Sequence, residues 1–213
     1  MHLHLSADEV LTTTRAVRKR LDLDRPVERE VLMECLDIAT QAPSGSNRQS
    51  WQWVFVTDPV KKQAIADLYG ANFDVYQQAP ASAQYADGDT RAERRSAVTA
   101  SAIYLRQNFH RVPVMMIPCI EGRLDGPAAT TASRWGSILP AVWSFLLALR
   151  ERGMGSAWTT LHLPNEREVA ELLGIPYDGY TQVGLFPIAY TVGTDFKAAA
   201  RLEVDSVSHF DTW

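Results

Sequence analysis

The spacing of apolar residues predicts helices along much of the chain. Ser6 and Glu9 form a capping box, which predicts a short helix that ends near Arg15. Apolar residues at helical spacing predict a second helix over residues 27–40, which Pro43 closes because the residue before a proline disfavours helix. Further helices are predicted over residues 59–69, 91–109, 129–152 and 165–173. The third of these contains "ILPAVWSFLLALRERG", which is apolar nearly all round, so we expect it to be buried.

Runs of aromatic, β-branched and other apolar residues predict four strands. They read "WQWVFVT", "VPVMMIPCI", "GSAWTTLHL" and "TQVGLFPIAYTVG" and begin at residues 51, 112, 155 and 181. The second is continuously apolar and is predicted to be central. Residues 72–90 look irregular, so we expect a lid or an insertion at about 72–95, and a tail from residue 194 that crosses the surface. Since there is no repeat and no clean linker, the sequence predicts one α+β domain over residues 1–213.

Composition and charge narrow the class of protein. The chain has 213 residues, of which 46% are hydrophobic and 22% charged, and these values are ordinary for a globular protein. Its net charge of −4 argues against a nucleic-acid-binding surface, which needs clustered cations in excess. The two cysteines, Cys35 and Cys119, lie far apart in apolar surroundings and are predicted to be buried free thiols. No segment resembles a membrane span or a signal peptide, and we expect a cytoplasmic protein.

Two polar stretches could carry chemistry. Arg15, Arg18, Lys19 and Arg20 put four cations into six residues. They form either a solvated patch or an anion site, in which Arg15 and Arg18 could converge if the segment is helical. The turn "PSGSN" at residues 43–47 is either a simple connection or a concavity in which backbone N–H groups bind an anion or a ring carbonyl.

The second half of the chain offers three more candidates. Thr159 and Thr160 place hydroxyls near the end of a predicted strand. His162 has neither a nucleophile nor a second histidine at ligand spacing, so a structural or substrate-facing role is favoured over catalysis, and no metal site is predicted. Arg201 is either a surface charge or an anchor for the tail through an anion. Motifs of Rossmann dehydrogenases, P-loop enzymes and α/β-hydrolases are all missing from the sequence.

Several boxes in this order resemble the FMN-dependent nitroreductase family over nearly the whole chain. They read "TRAVRKRL", "RPV", "APSGSNRQSWQWVF", "ALRERGMGSAW" and an arginine before "LEVD". The chain is most similar to actinobacterial members that begin "TTTRxVRKRLD". The resemblance implies an α+β fold with a central, mostly antiparallel sheet sandwiched by helices. It also implies an intertwined homodimer with two FMN molecules at the subunit interface.

The same resemblance assigns the cofactor-binding residues. They are Arg15, Ala16, Val17, Arg18, Pro43, Ser44, Ser46, Asn47, Gln49, Thr159, Thr160 and Arg201. Arg15 and Arg201 correspond to phosphate ligands, and Arg18 to the cation beside flavin N1 and O2. The loop 43–49 corresponds to one that packs on the flavin of the partner subunit, and Thr159 or Thr160 to a donor to flavin N5. Thr14 and Ala16 replace an arginine and a serine that touch phosphate in the family, which predicts weaker FMN binding.

The reaction implied by the resemblance is ping-pong. NADH or NADPH passes a hydride to flavin N5, leaves, and is replaced by a small aromatic acceptor such as a nitroaromatic or a quinone. No protein residue is predicted to be catalytic, and His162 is assigned to the substrate side. Three alternatives stay open: a dehalogenase or flavin-processing enzyme, a flavin-storage protein without turnover, and a colourless α+β binding module. The segment at 72–95 would separate enzyme from storage protein, depending on whether it opens or plugs the flavin face.

Overall fold

Seven helices and five strands make up the regular structure of the part of the chain that is described, residues 1–79, 85 and 89–213 of a computed structural model. The helices are α1 Ala7–Thr13, α2 Arg29–Ala39, α3 Pro59–Gln78, α4 Thr90–Glu93, α5 Arg95–Asn108, α6 Ala128–Glu151 and α7 Glu166–Leu173. The strands are β1 Trp51–Val56, β2 Val114–Glu121, β3 Met154–Ser156, β4 Tyr180–Gln182 and β5 Phe186–Tyr190. The capping box at Ser6 and the helix that it predicts are both confirmed.

The strands form one antiparallel sheet with β2 at its centre, as its apolar run predicts. The order is β1-β2-β5-β3, and β4 pairs with β2 beyond the end of β5. Alternate residues of β2 face opposite sides, so Met116 and Ile120 pack against α2 and α6 while Met115 and Ile117 pack against α3 and α5. The predicted sheet between two layers of helices is therefore confirmed.

The end of α6 leads directly to the site. This helix is largely buried, as predicted, and Gly153 ends it with a left-handed φ of 71°. The chain then enters β3, where a Cβ on Gly155 would lie 2.9 Å from the side chain of Val17. The absence of that Cβ lets the segment after α1 lie along β3, with Ala16 bridged to Ser156 and the Val17 N–H donating to the Ser156 carbonyl at 2.8 Å.

Some boundaries differ from the sequence prediction because tertiary contacts decide them. Helix α3 continues to Gln78, and Asn72 donates to the Leu161 carbonyl and to Asn165 Oδ1, both at 2.8 Å. The expected irregular segment was therefore wrong for 72–78, and its residues 80–84 and 86–88 lie outside the described residues. The third predicted strand ends at Ser156, and the fourth is interrupted between β4 and β5.

The two cysteines and the C-terminal tail were also predicted from the sequence. Cys35 and Cys119 are free and buried, as predicted, and burial raises the pKa of each thiol to about 12. The tail from residue 194 has one short 3-10 turn, Val204–Val207, and is mostly exposed. In the described ranges, no helix combines the length and the hydropathy needed to cross a bilayer.

Candidate functional site

A cavity of about 690 Å³ opens beside β3. Its walls come from residues 13–18, Tyr85 with the first turns of α5, the outer side of α6, residues 154–158 and the tail at residues 196–201. Val17, Leu146, Met154 and Ala157 supply apolar surface, and Trp143 supplies an aromatic wall. A cavity of this size and composition suits a largely apolar, flat ligand with polar ends.

The charged side chains that line this cavity, among the described residues, are all positive. Six arginines line it, and the described lining contains no aspartate or glutamate. They are Arg15, Arg18, Arg91, Arg94, Arg150 and Arg201. Such an excess of guanidinium groups attracts an anion, and their planar donor forks suit phosphate or carboxylate oxygens.

Arg150 is the most deeply placed of these cations. Its Nε donates to Thr13 Oγ1 and its Nη2 donates to the Thr194 carbonyl, both at 3.1 Å. Its Nη1 is buried without a hydrogen-bond partner among the described residues. Burial lowers the pKa of the guanidinium, and the neighbouring Arg20 lowers it further against the opposing effect of Glu151. A buried donor without a partner is costly, so an acceptor is expected at this wall of the cavity.

Ser156 and Arg18 provide two more incomplete polar groups. The Ser156 Oγ, at the end of β3, is buried and has no hydrogen-bond partner within the described part of the chain. The Arg18 side chain makes no hydrogen bond or ion pair with a described residue, and burial lowers the pKa of its guanidinium. With Arg150 Nη1, these groups fit an anionic ligand with polar ring edges such as FMN.

The structure brings five of the predicted cofactor residues to this cavity. They are Arg15, Ala16, Val17, Arg18 and Arg201. The helical argument for the convergence of Arg15 and Arg18 was wrong, because α1 ends at Thr13 and the segment lies extended along β3. Arg201 donates to the carbonyl of its neighbour Ala200 at 3.2 Å and leaves its remaining donors toward the cavity.

The other predicted residues of β3 and its continuation do not line this cavity. Thr159 is buried, and its hydroxyl donates to the Leu185 carbonyl at 2.6 Å, whereas Thr160 is exposed. His162 is fully buried, and neither ring nitrogen has a partner within hydrogen-bond geometry among the described residues. Burial lowers its pKa to about 4, against smaller raising contributions from Gln182 and Glu166. The structure therefore does not place the His162 ring where a ligand in this cavity would touch it.

The loop 43–49 lies outside the cavity of its own chain and contacts α6. The Gly45 N–H donates to Ser137 Oγ at 2.9 Å, and Ser44 Oγ accepts from the Gln49 N–H at 3.2 Å. Ser46, Asn47 and Gln49 have left-handed φ values of 53°, 52° and 51°. Backbone strain of this kind concentrates at functional sites, and Pro43 precedes the strained turn.

Sequence reasoning missed many of the lining residues, including six that bear on ligand binding. They are Tyr85, Arg91, Arg94, Trp143, Arg150 and Ser156. Arg150 was not among the predicted site residues. Its position in the most apolar helix of the chain was the available signal, because a buried cation requires partners. Arg91, Arg94 and Trp143 carry no local signal, since charged or partly exposed residues on or beside helices are common.

The fold is that of an α+β protein, and the arginine-lined cavity next to β3 suits an anionic, aromatic ligand. The profile of the nitroreductase family matches residues 11–190, so the chain belongs to that family. The Bacillus subtilis (strain 168) protein YdgI, whose NAD(P)H nitroreductase name is itself provisional, is 24% identical over 95% of this chain and 96% of its own.

Two solved structures share the fold. The FMN- and NADPH-dependent nitroreductase NfnB from Sphigopyxis sp. strain HMH is 26% identical and has a TM-score of 0.71, over 98% of this chain and 100% of its own. Iodotyrosine deiodinase, bound to FMN and 3-iodo-L-tyrosine, is 24% identical and has a TM-score of 0.72, over 97% of this chain and 99% of its own.

Proposed function

We propose that this nitroreductase-family protein, an FMN-dependent oxidoreductase, transfers reducing equivalents from NADPH or NADH to nitroaromatic or quinone-like acceptors by a ping-pong reaction. The observation that carries the proposal is the composition of the cavity beside β3. Its lining combines apolar side chains with six arginines and with two buried donors, Arg150 Nη1 and Ser156 Oγ, that have no partner among the described residues. An FMN phosphate and the polar edge of its ring would supply the missing acceptors. When bound, FMN supplies the hydride chemistry.

The residues of the chain then have binding roles rather than acid–base roles. Arg15 and Arg201, which both line the cavity, are proposed to hold the phosphate. Arg18 is proposed to face the pyrimidine edge of the ring, where its charge favours the reduced cofactor. Ser156 Oγ and Arg150 Nη1 gain hydrogen-bond partners in this arrangement. Thr159, Thr160 and His162 do not line the cavity, so no direct contact with the cofactor in this cavity is proposed for them.

The second proposal concerns the assembly. The loop 43–49 contributes nothing to the cavity of its own chain, so we propose that it completes the site of a partner subunit in a homodimer. Large apolar side chains support this arrangement, since Phe210 is 88% and Trp213 102% exposed on the single chain. Sedimentation of the FMN-loaded protein should give twice the mass of one chain. A stable monomer that retains FMN would contradict the shared site.

The substitutions at Thr14 and Ala16 are proposed to weaken FMN binding. The Thr14 hydroxyl donates to the Val10 carbonyl at 2.7 Å, so it is already engaged, and Ala16 has no donor to offer beyond its backbone. Equilibrium dialysis of Ala16→Ser against the natural chain measures this directly. A lower Kd for FMN in the variant is the expected result, and an unchanged Kd would contradict the proposal that Ala16 weakens FMN binding.

A half-reaction experiment tests the function. The yellow holoprotein should bleach on anaerobic addition of NADPH or NADH, and a nitroarene or quinone should then restore the colour. Failure to bleach would support flavin storage instead. Halide release from a halogenated aromatic by the reduced protein, without reduction of nitroarenes, would support the dehalogenase alternative.

The cytoplasmic location, the actinobacterial likeness and the single domain with a lid remain predictions from the sequence.

A further inference from the structure

Two of the arginines in the cavity belong to a part of its wall that the FMN proposal does not use. Val98 and Ser101 are three residues apart on one face of the α5 helix, and Arg94 immediately precedes that helix, four residues before Val98. All three line the cavity together with Arg91. Arg95, the next residue, lies in a separate groove on the other side of the same helix. The two neighbouring arginines Arg94 and Arg95 therefore differ in what they face, although both are exposed.

The cavity holds more positive charge than FMN would neutralise. Six guanidinium groups line it, and the carboxylate paired with them among the described residues is that of Asp89. A phosphate monoester adds about two negative charges at neutral pH, which leaves about three cations without a counter-ion. Arg15, Arg18 and Arg201 have proposed contacts with the cofactor. Arg94 therefore remains for a second anion, and Arg91, which is paired with Asp89, lies beside it in the same wall.

The positions of Arg91 and Arg94 suit a second ligand that binds after FMN. Arg91 is held in place, because its Nε and Nη2 donate to the Asp89 carboxylate at 2.6–3.0 Å and its guanidinium lies 5.0 Å from the centre of the Tyr85 ring. The Arg94 side chain makes no hydrogen bond or ion pair with any described residue, so its donor fork is available to a ligand. A planar guanidinium fork binds a planar carboxylate through two parallel hydrogen bonds.

The walls beside the pair indicate that the anion is carried on an aromatic ring. Trp143 and Trp158 both line the cavity and are 40% and 37% exposed, so each can receive a flat ring. A cavity of about 690 Å³ is in the range of ligand pockets, so beside the ring of FMN there is room for one small aromatic ring at a time.

We propose that Arg94, with Arg91 beside it, forms an anion subsite that selects acceptors with a carboxylate on the aromatic ring. The proposal rests on the proposed function, since it specifies the acceptor class of the same site. The subsite would bind an anionic oxygen group, and the phosphates of NADPH carry such groups as well as the carboxylate of an acceptor. Because a ping-pong reaction separates the two half-reactions, the kinetics of reductant and acceptor distinguish the two sources.

The activity test compares a charged acceptor with a neutral analogue of the same shape. For Arg94→Gln, kcat/KM for 4-nitrobenzoate should fall about tenfold, the loss expected for one charge-assisted hydrogen bond. For 4-nitrobenzamide it should stay within about twofold, and KM for NADPH should not change, because neither depends on the lost charge. Arg95→Gln is the matched control and should leave all three values as they are in the natural protein. Equal losses with both acceptors, no loss with either, or a change confined to KM for NADPH would each overturn the proposal.

A binding experiment keeps the subsite testable if no acceptor turns over. Benzoate, which cannot be reduced here, is titrated calorimetrically into the FMN-loaded proteins. Its Kd should rise about tenfold in Arg94→Gln and stay constant in Arg95→Gln. That result without any acceptor reduction would refute the proposed function and leave the subsite standing. Equal benzoate affinity in all three proteins would refute the subsite, whatever the activity.

Discussion

Arg150 donates through Nη2 to the carbonyl oxygen of Thr194 at 3.1 Å and so ties the end of α6 to the beginning of the tail. The same guanidinium reaches Thr13 at the end of α1 and lies 5.1 Å from the ring centre of Phe196. One buried cation therefore joins three segments around the cavity and still has a donor, Nη1, that no described residue pairs with. This arrangement makes Arg150 both a structural and a binding residue, and the two roles can be separated.

Replacement of Arg150 by lysine should affect both roles. A single ammonium group cannot reach Thr13, Thr194 and a ligand at once. We therefore expect the free energy of unfolding, measured in urea, to fall by about 1–3 kcal/mol and the Kd for FMN to rise about tenfold. Arg152→Lys is the control, because Arg152 is also buried at this helix end but does not line the cavity. It should lower stability and leave FMN affinity intact. An unchanged Kd for FMN in Arg150→Lys would contradict the binding role.

Arg18 should tune the cofactor, whereas Arg15 should hold it. We expect Arg18→Gln to lower the two-electron midpoint potential of bound FMN by about 30 mV, which corresponds to about 1.4 kcal/mol of lost charge stabilisation. Arg15→Gln should instead raise the Kd for FMN and leave the potential nearly unchanged. Redox titration with a reference dye and fluorescence titration of FMN give the two quantities. The opposite assignment of effects would show that Arg15 lies at the ring.

His162 should make the protein less stable in mild acid. Its folded-state pKa of about 4 lies below the ordinary value of 6.5, so the unfolded chain binds a proton that the folded chain excludes. The stability contribution is complete above about pH 6.5 and is lost as the pH falls toward 4, with about 2 kcal/mol gone at pH 5. Urea unfolding at pH 7 and pH 5 measures this. His162→Gln should flatten the difference, and His110→Gln, at an exposed position, serves as the control.

Ser46 should be a site where the natural residue costs stability. Its φ of 53° is one that glycine adopts without a steric penalty, so Ser46→Gly should raise the free energy of unfolding by up to about 1 kcal/mol. Ser44→Gly is the matched comparison. Its φ of −129° is ordinary and its hydroxyl accepts from the Gln49 N–H, so the same change should lower stability. Equal effects at both positions would show that the loop is not strained at Ser46.

Local patterns predicted most of the elements and fewer of their ends. The capping box located the start of α1, and the continuous apolar run of β2 predicted its central place in the sheet. Helix α3 was predicted too short, because its last two turns are stabilised by contacts such as those of Asn72 with a distant segment. The third strand was predicted too long, because its apolar and hydroxyl residues continue into turns that pack on β5 rather than into a strand.

The sequence by itself determined which segments are helices and strands, the membership in the nitroreductase family, and the arginines near both ends of the chain. These follow from spacings of a few residues and from boxes of fixed order. Only the tertiary structure decided that Arg94 and Arg150 line the same cavity as Arg18 and Arg201, and that His162 does not. The physical reason is that their convergence depends on the packing of a close-fitting glycine on β3, of α6 and of the tail, over separations that no local pattern spans.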